Sequence, residues 1–211
     1  MFQNAMHSFE KVISLDPTDI TAYANLAAAY DMLKLYDKEI ITLKKVLMFN
    51  PEDKELRSAL SNAYFNAERY EEAIDAAQCV VEIDDKDPQA YCNLGSCYSV
   101  RNMVDDAISA FKKASELAPD YSLPHTNLGT LYANMGRPET AIKEFKMAVD
   151  LNSADAGAWL NLYNCYKDVG LMEDSQMAYR KYEALMSETV STAPTEGNNP
   201  SNIPGGVSQT G

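Results

Sequence analysis

The sequence predicts an all-α solenoid of repeated helix pairs, and three observations predict it. Leu26, Leu60, Leu94, Leu128 and Leu162 recur every 34 residues. Tyr30, Tyr64, Tyr98, Tyr132 and Tyr166 keep the same interval, as do Pro17 and Pro51, with Pro119 two intervals beyond. Between these markers the apolar residues fall at helical, not strand, spacing. A fixed period of this length without insertions is the mark of a repeat architecture, in which each unit buries its apolar face only by stacking on its neighbours.

The stretch 88–121 shows how one unit is written. Asp87 is suited to cap a helix and Pro88 to occupy its first position. Tyr91, Leu94 and Tyr98 then lie on one helical face. Asn102 stands where a tight turn needs left-handed backbone, a slot held by Gly136 and Gly170 in later units. Ala107, Ile108, Phe111, Ala114 and Leu117 form the face of a second helix, and Pro119 closes the unit.

The pattern bulky–x–x–Leu–Gly/Ala–x–x–Tyr followed by Ala–x–x–x–Phe–x–x–Ala and Pro resembles the tetratricopeptide repeat (TPR). The bulky slot holds Tyr23, Arg57, Tyr91, His125 and Trp159; the small slot Ala27, Ser61, Gly95, Gly129 and Tyr163; the Phe slot Leu43, Ala77, Phe111, Phe145 and Tyr179. Full units are placed at 20–53, 54–87, 88–121, 122–155 and 156–186. Residues 1–19 read as the second helix of an incomplete N-terminal unit, with Ala5, Phe9 and Val12 in the Ala, Phe and Ala slots. The resemblance implies a right-handed superhelix of antiparallel helix pairs with a concave face lined by first helices. Unit two departs most from the pattern through Arg57, Ala77 and Asp85, and is expected to be the weakest joint. Tyr163 and Tyr182 replace small residues in the last unit and read as the end of the array. Residues 187–211, rich in Pro, Gly, Ser, Thr and Asn without periodicity, read as a disordered tail.

Composition narrows the function. A net charge of −13 opposes sequence-independent nucleic-acid binding and attachment to an anionic membrane surface. Cys79, Cys92, Cys97 and Cys165 include no CxxC pair and read as packed thiols in a reducing compartment. With no long apolar run and no secretory leader at residue 1, a cytoplasmic protein is expected. His7 and His125 are the only histidines, no catalytic, cofactor or metal motif stands out, and a non-enzyme without cofactor or metal is expected. The acidic pairs Asp84–Asp85 and Asp105–Asp106 read as caps or solvated turns, and Met32, Met103, Met135 and Met172 as gap-filling residues.

What remains is binding. The period aligns Asn25, Ala59, Asn93, Asn127 and Asn161 in one row of first-helix positions. A side-chain amide both donates and accepts, so such a row suits the backbone of an extended peptide; equally, it suits hydrogen bonds between neighbouring units. The row looks like the asparagine ladder of O-GlcNAc-transferase-type TPR superhelices. Adjoining rows are Ala24, Ser58, Cys92, Thr126, Leu160; Ala28, Asn62, Ser96, Thr130, Asn164; and Asp31, Phe65, Ser99, Ala133, Lys167. They describe a small, polar groove without the Lys and Arg of a carboxylate or phosphopeptide clamp. The expected function is a protein–protein interaction module that takes a peptide against Asn25, Asn93, Asn127 and Asn161, with Asn62, Thr130 and Asn164 beside them. One alternative is a self-assembling scaffold, a homo-oligomer joined through Phe9, Val12 and Ile13 of the open N-terminal helix. Another is the TPR arm of a larger, glycosyltransferase-like protein.

Overall fold

The computed structural model describes the backbone of residues 2–191 and the side chains of 6–188. The Ala slot given to Ala5, and the tail from residue 192 onward, lie outside the described residues. Eleven helices follow one another among the described residues: α1 (Phe2–Leu15), α2 (Ile20–Met32), α3 (Tyr36–Leu47), α4 (Lys54–Asn66), α5 (Tyr70–Ile83), α6 (Pro88–Val100), α7 (Val104–Leu117), α8 (Ser122–Asn134), α9 (Pro138–Leu151), α10 (Ala156–Asp168) and α11 (Met172–Ser191). Each helix packs against the next, so α1 is followed by five stacked pairs. The backbone of α11 is helical to Ser191, so 187–191, read from composition as the start of the tail, continues the last helix instead.

The helix boundaries have local causes that repeat with the period. Asp19, Asp53, Asp87 and Asp155 each cap a first helix, their carboxylates accepting from backbone N–H groups two or three residues on. Tyr121 takes this place in unit four and makes no cap; its hydroxyl instead reaches back to Gln89 of the preceding unit. The turn inside each pair needs one left-handed residue, and the five are Lys34, Glu68, Asn102, Gly136 and Gly170. Gly and Asn accept that conformation easily, whereas Lys34 at φ 55° and Glu68 at φ 60° are held there against a penalty of about 1–2 kcal/mol. Lys34→Gly and Glu68→Gly are therefore each expected to stabilise the chain by about 1 kcal/mol, read as a higher urea midpoint at unchanged slope.

Packing inside the pairs follows a size rule between the small slot of the first helix and the Phe slot of the second. A Cβ on Gly95 would lie 2.7 Å from two ring carbons of Phe111, and one on Gly129 equally close to Phe145. Both rings are fully buried. Where the second helix offers only Ala77, the small slot holds Ser61, whose hydroxyl donates to the Ala73 carbonyl at 2.9 Å. In unit five Tyr163 fills the small slot, and Tyr179 is turned outward against it with ring centroids 5.0 Å apart. The apolar interior forms two clusters, one built from units one and two together with Cys97 of unit three, the other from the rest of units three to five. Lys54, at the start of α4, reaches the α5–α6 turn, pairing with Asp84 at 2.8 Å and Asp87 at 3.3 Å.

Two expectations about side chains are corrected. Met32, Met103, Met135 and Met172 are exposed, because the ends of the pairs carry nothing above them to pack against. Cys92 is buried and lies within reach of the Tyr121 hydroxyl, so it faces the next unit and is not part of the open groove. Thr126, one period on, likewise donates to Asp155 at 3.2 Å.

Candidate peptide-binding groove

Successive first helices approach one another, α4 with α6, α6 with α8 and α8 with α10, while among the described residues no two successive second helices are packed as closely. The first helices thus follow the shorter inner arc, and their free faces make the groove. Asn25, Asn62, Thr130 and Asn164 are exposed, and Asn93, Asn127 and Asn161 are half-buried. The Asn93 side-chain oxygen accepts from Gln89 Nε2 at 2.8 Å within α6. Among the described residues, Asn25, Asn127 and Asn161 make no side-chain hydrogen bond to a neighbouring unit or anything else in the chain. The Thr130 hydroxyl donates to the Thr126 carbonyl at 2.9 Å and keeps its lone pairs for a ligand.

At the N-terminal end the groove deepens into a cavity of about 460 Å³. Ala24, Ala27, Ala28 and Asp31 of α2 form one wall, and Glu55, Leu56, Ala59, Asn62, Phe65 and Asn66 of α4 the other; Glu39 and Leu43 of α3 form the floor. Glu39 is 5% exposed, and its Oε2 has no hydrogen-bond partner. Burial, with Asp31 adding a second negative charge, pushes its carboxyl up to about 7. Sequence reasoning passed over Glu39, although the signal was present. One, two and three periods later the same place holds Ala73, Ala107 and Ala141, and then Ser175.

The remaining candidates fall elsewhere. On α1, Ile13 packs against the interior of units one and two, Phe9 is half-buried, and Val12 faces outward. His125 is buried in the bulky slot with Nδ1 2.9 Å from Glu144 Oε2. Asp84 accepts from Lys54 and from the Lys86 backbone N–H, as expected of a turn carboxylate, and these bonds hold it below the usual carboxylate range. Cys92 and Cys97 are free thiols pushed up by burial to about 12 and about 11, which makes them poor nucleophiles. Among the described residues no three Asp, Glu, His or Cys side chains are placed to hold a metal ion, and no helix is long and apolar enough to cross a membrane.

Comparison with known proteins agrees with the helix pairs. A family model described as tetratricopeptide repeat matches residues 88–121, and a second with the same description matches 8–40 and 110–143. The fold is that of a tetratricopeptide-repeat solenoid, with the family models matching within 8–40 and 88–143. Solved structures superpose over most of its length. MamA is 22% identical with a TM-score of 0.67, covering 79% of this chain and 97% of its own. YrrB, described as a TPR protein with an unusual peptide-binding site, is 19% identical with a TM-score of 0.58, covering 86% and 94%. BtubC from P. vanneervenii is 14% identical with a TM-score of 0.72, covering 98% and 96%. At these identities the likeness establishes the fold. No curated protein matches the sequence.

Proposed function

We propose that this TPR array is a non-catalytic binding module that holds a segment of a partner protein, in extended form, along its concave face. Asn93, Asn127 and Asn161 bond the peptide backbone, with Asn25 on the flank and Asn62, Thr130 and Asn164 alongside. The observation that carries the reading is that Asn25, Asn127 and Asn161 sit on the inner face with their amides uncommitted within the chain. An amide that braced neighbouring units would already be bonded to one. TPR proteins as a class mediate protein–protein interactions, and YrrB, with its peptide-binding site, has the same fold. Beyond the N-terminal cavity the amide rows carry few charges, so backbone recognition sets the affinity along them. Buried thiols and the absence of a membrane-spanning helix among the described residues fit a protein of the reducing cytoplasm.

Each hydrogen bond of this kind contributes about 0.5–1.5 kcal/mol net. Removing three amides is therefore expected to weaken binding at least tenfold, since a factor of ten is about 1.4 kcal/mol. The experiment selects peptides from a random display library on the unaltered chain. It then compares their affinity for that chain and for Asn93→Ala/Asn127→Ala/Asn161→Ala. Loss of affinity with a nearly unchanged melting temperature supports the reading. Unchanged affinity, or a large fall in melting temperature, counts against it and in favour of bracing between units.

A further inference from the structure

The cavity at the N-terminal end of the groove is not explained by a row of backbone-binding amides. Its floor is a buried acid at a position where the other units place Ala or Ser, the small residue that close packing of the pair requires. Burying a carboxyl without a partner is costly, and a costly departure from an otherwise regular pattern is expected where a site needs it.

We propose that this cavity is a specificity subsite for one long basic side chain, lysine or arginine, of the bound segment, with Glu39 as the anchor of its charged head. Four features fit this occupant. The charged groups lining the cavity are Asp31 from α2, Glu39 from α3 and Glu55 from α4, all acidic, with no Lys or Arg among the lining residues. Glu39 Oε2 is the one buried side-chain oxygen or nitrogen without a partner among the described residues. Between the acids the walls are mostly Ala, Leu and Phe side chains, with Asn62 and Asn66 beside them, so they accept the methylene stem that a basic side chain carries behind its charge. The volume, about 460 Å³, is within the range of sites that enclose small ligands, about 300–1,000 Å³. A compact metal ion fits less well, because the acids are not placed as a coordinating set and the stem-lined walls would stay empty. The cavity adjoins Asn62 of the amide rows, so a peptide lying on those rows would pass its mouth.

That a peptide delivers the cation rests on the groove reading above; the subsite itself is tested without a peptide backbone. The full chain, labelled with ¹⁵N and with ¹³C at glutamate carboxyls, is titrated with N-acetyl-arginine amide and N-acetyl-lysine amide at pH 7.5. Saturable shifts are expected at Ala28, Ala59 and Asn62, together with a fall of at least one pH unit in the Glu39 titration midpoint. In Glu39→Gln the affinity is expected to drop at least tenfold. In Asp31→Asn, an exposed change that leaves the packing intact, it is expected to drop severalfold. N-acetyl-norleucine amide, with the stem but not the charge, is expected to leave these signals in place. Shifts that fail to saturate, that persist equally in Glu39→Gln, or that calcium alone reproduces would overturn the proposal. Failure here leaves the display experiment on the asparagine triple variant unaffected, and failure there leaves this one standing, so the two readings fall separately.

Discussion

Phe111→Ala is expected to destabilise the chain by about 3–5 kcal/mol, the usual cost of removing a fully buried aromatic ring. The cost should sit at the upper end because of what faces the ring. Gly95 has no side chain to relax into the space, and its α-carbon backs onto the ring so closely that an added Cβ would meet ring carbons at 2.7 Å. The reciprocal change, Gly95→Ala, overpacks the same contact and is expected to cost about 1–3 kcal/mol alone. Combined with Phe111→Ala it should cost almost nothing, since the clash has been removed and the added methyl fills part of the hole. The pair would then behave like Ser61 opposite Ala77 in unit two. A double-mutant cycle by urea unfolding, with hydrogen exchange of α6 and α7 to localise the loss, measures the coupling. Strictly additive costs would show that the two positions are not a size-matched pair.

That coupling also shows where the sequence is legible and where it is not. The helix pairs could be read directly, because Leu26 and Tyr30 and their successors mark the period and each unit must bury the same face. The turn residues Asn102, Gly136 and Gly170 were readable from their chemistry, but Lys34 and Glu68 were not. They adopt the same left-handed backbone only because the surrounding repeat imposes it. The row of Cys92 and Thr126 was misplaced for a related reason. One step along a helix turns a side chain by about 100°, enough to carry it from the groove into the joint between units. The asparagine row was visible as a pattern, but whether its amides were committed to neighbouring units depends on distances that no spacing encodes. Glu39 was hidden differently. A charged residue on an amphipathic helix reads as solvent-facing, and only alignment with Ala73, Ala107 and Ala141 shows that its place is inside.

The buried acid also predicts a pH dependence that most folded proteins do not show. In the unfolded chain a glutamate carboxyl titrates near 4.3. In the folded chain burial, reinforced by Asp31, raises Glu39 to about 7. Below the lower value both states hold the proton and Glu39 contributes no difference. Between the two values the folded chain retains a proton that the unfolded chain has released. Stability therefore falls as pH rises through this window and levels off above about 7. The full loss amounts to at most about 4 kcal/mol at about 1.4 kcal/mol for each pH unit of displacement. Glu39→Gln keeps the shape of the side chain and removes the titration. It is thus expected to exceed the unaltered chain by only about 1 kcal/mol at pH 5 and by up to about 4 kcal/mol at pH 8. Exposed carboxylates held low by hydrogen bonds, such as Asp16 and Asp84, act in the opposite sense and lose their contribution on acidification. They are common to both chains and cancel in the difference. Urea melts of the two chains at pH 5, 6, 7 and 8 give that difference directly, and parallel curves would mean that Glu39 is solvated like an ordinary surface acid. A cation seated in the cavity would bring the carboxyl back toward its ordinary range, so saturating N-acetyl-arginine amide should flatten the pH dependence of the unaltered chain and leave that of Glu39→Gln as it was.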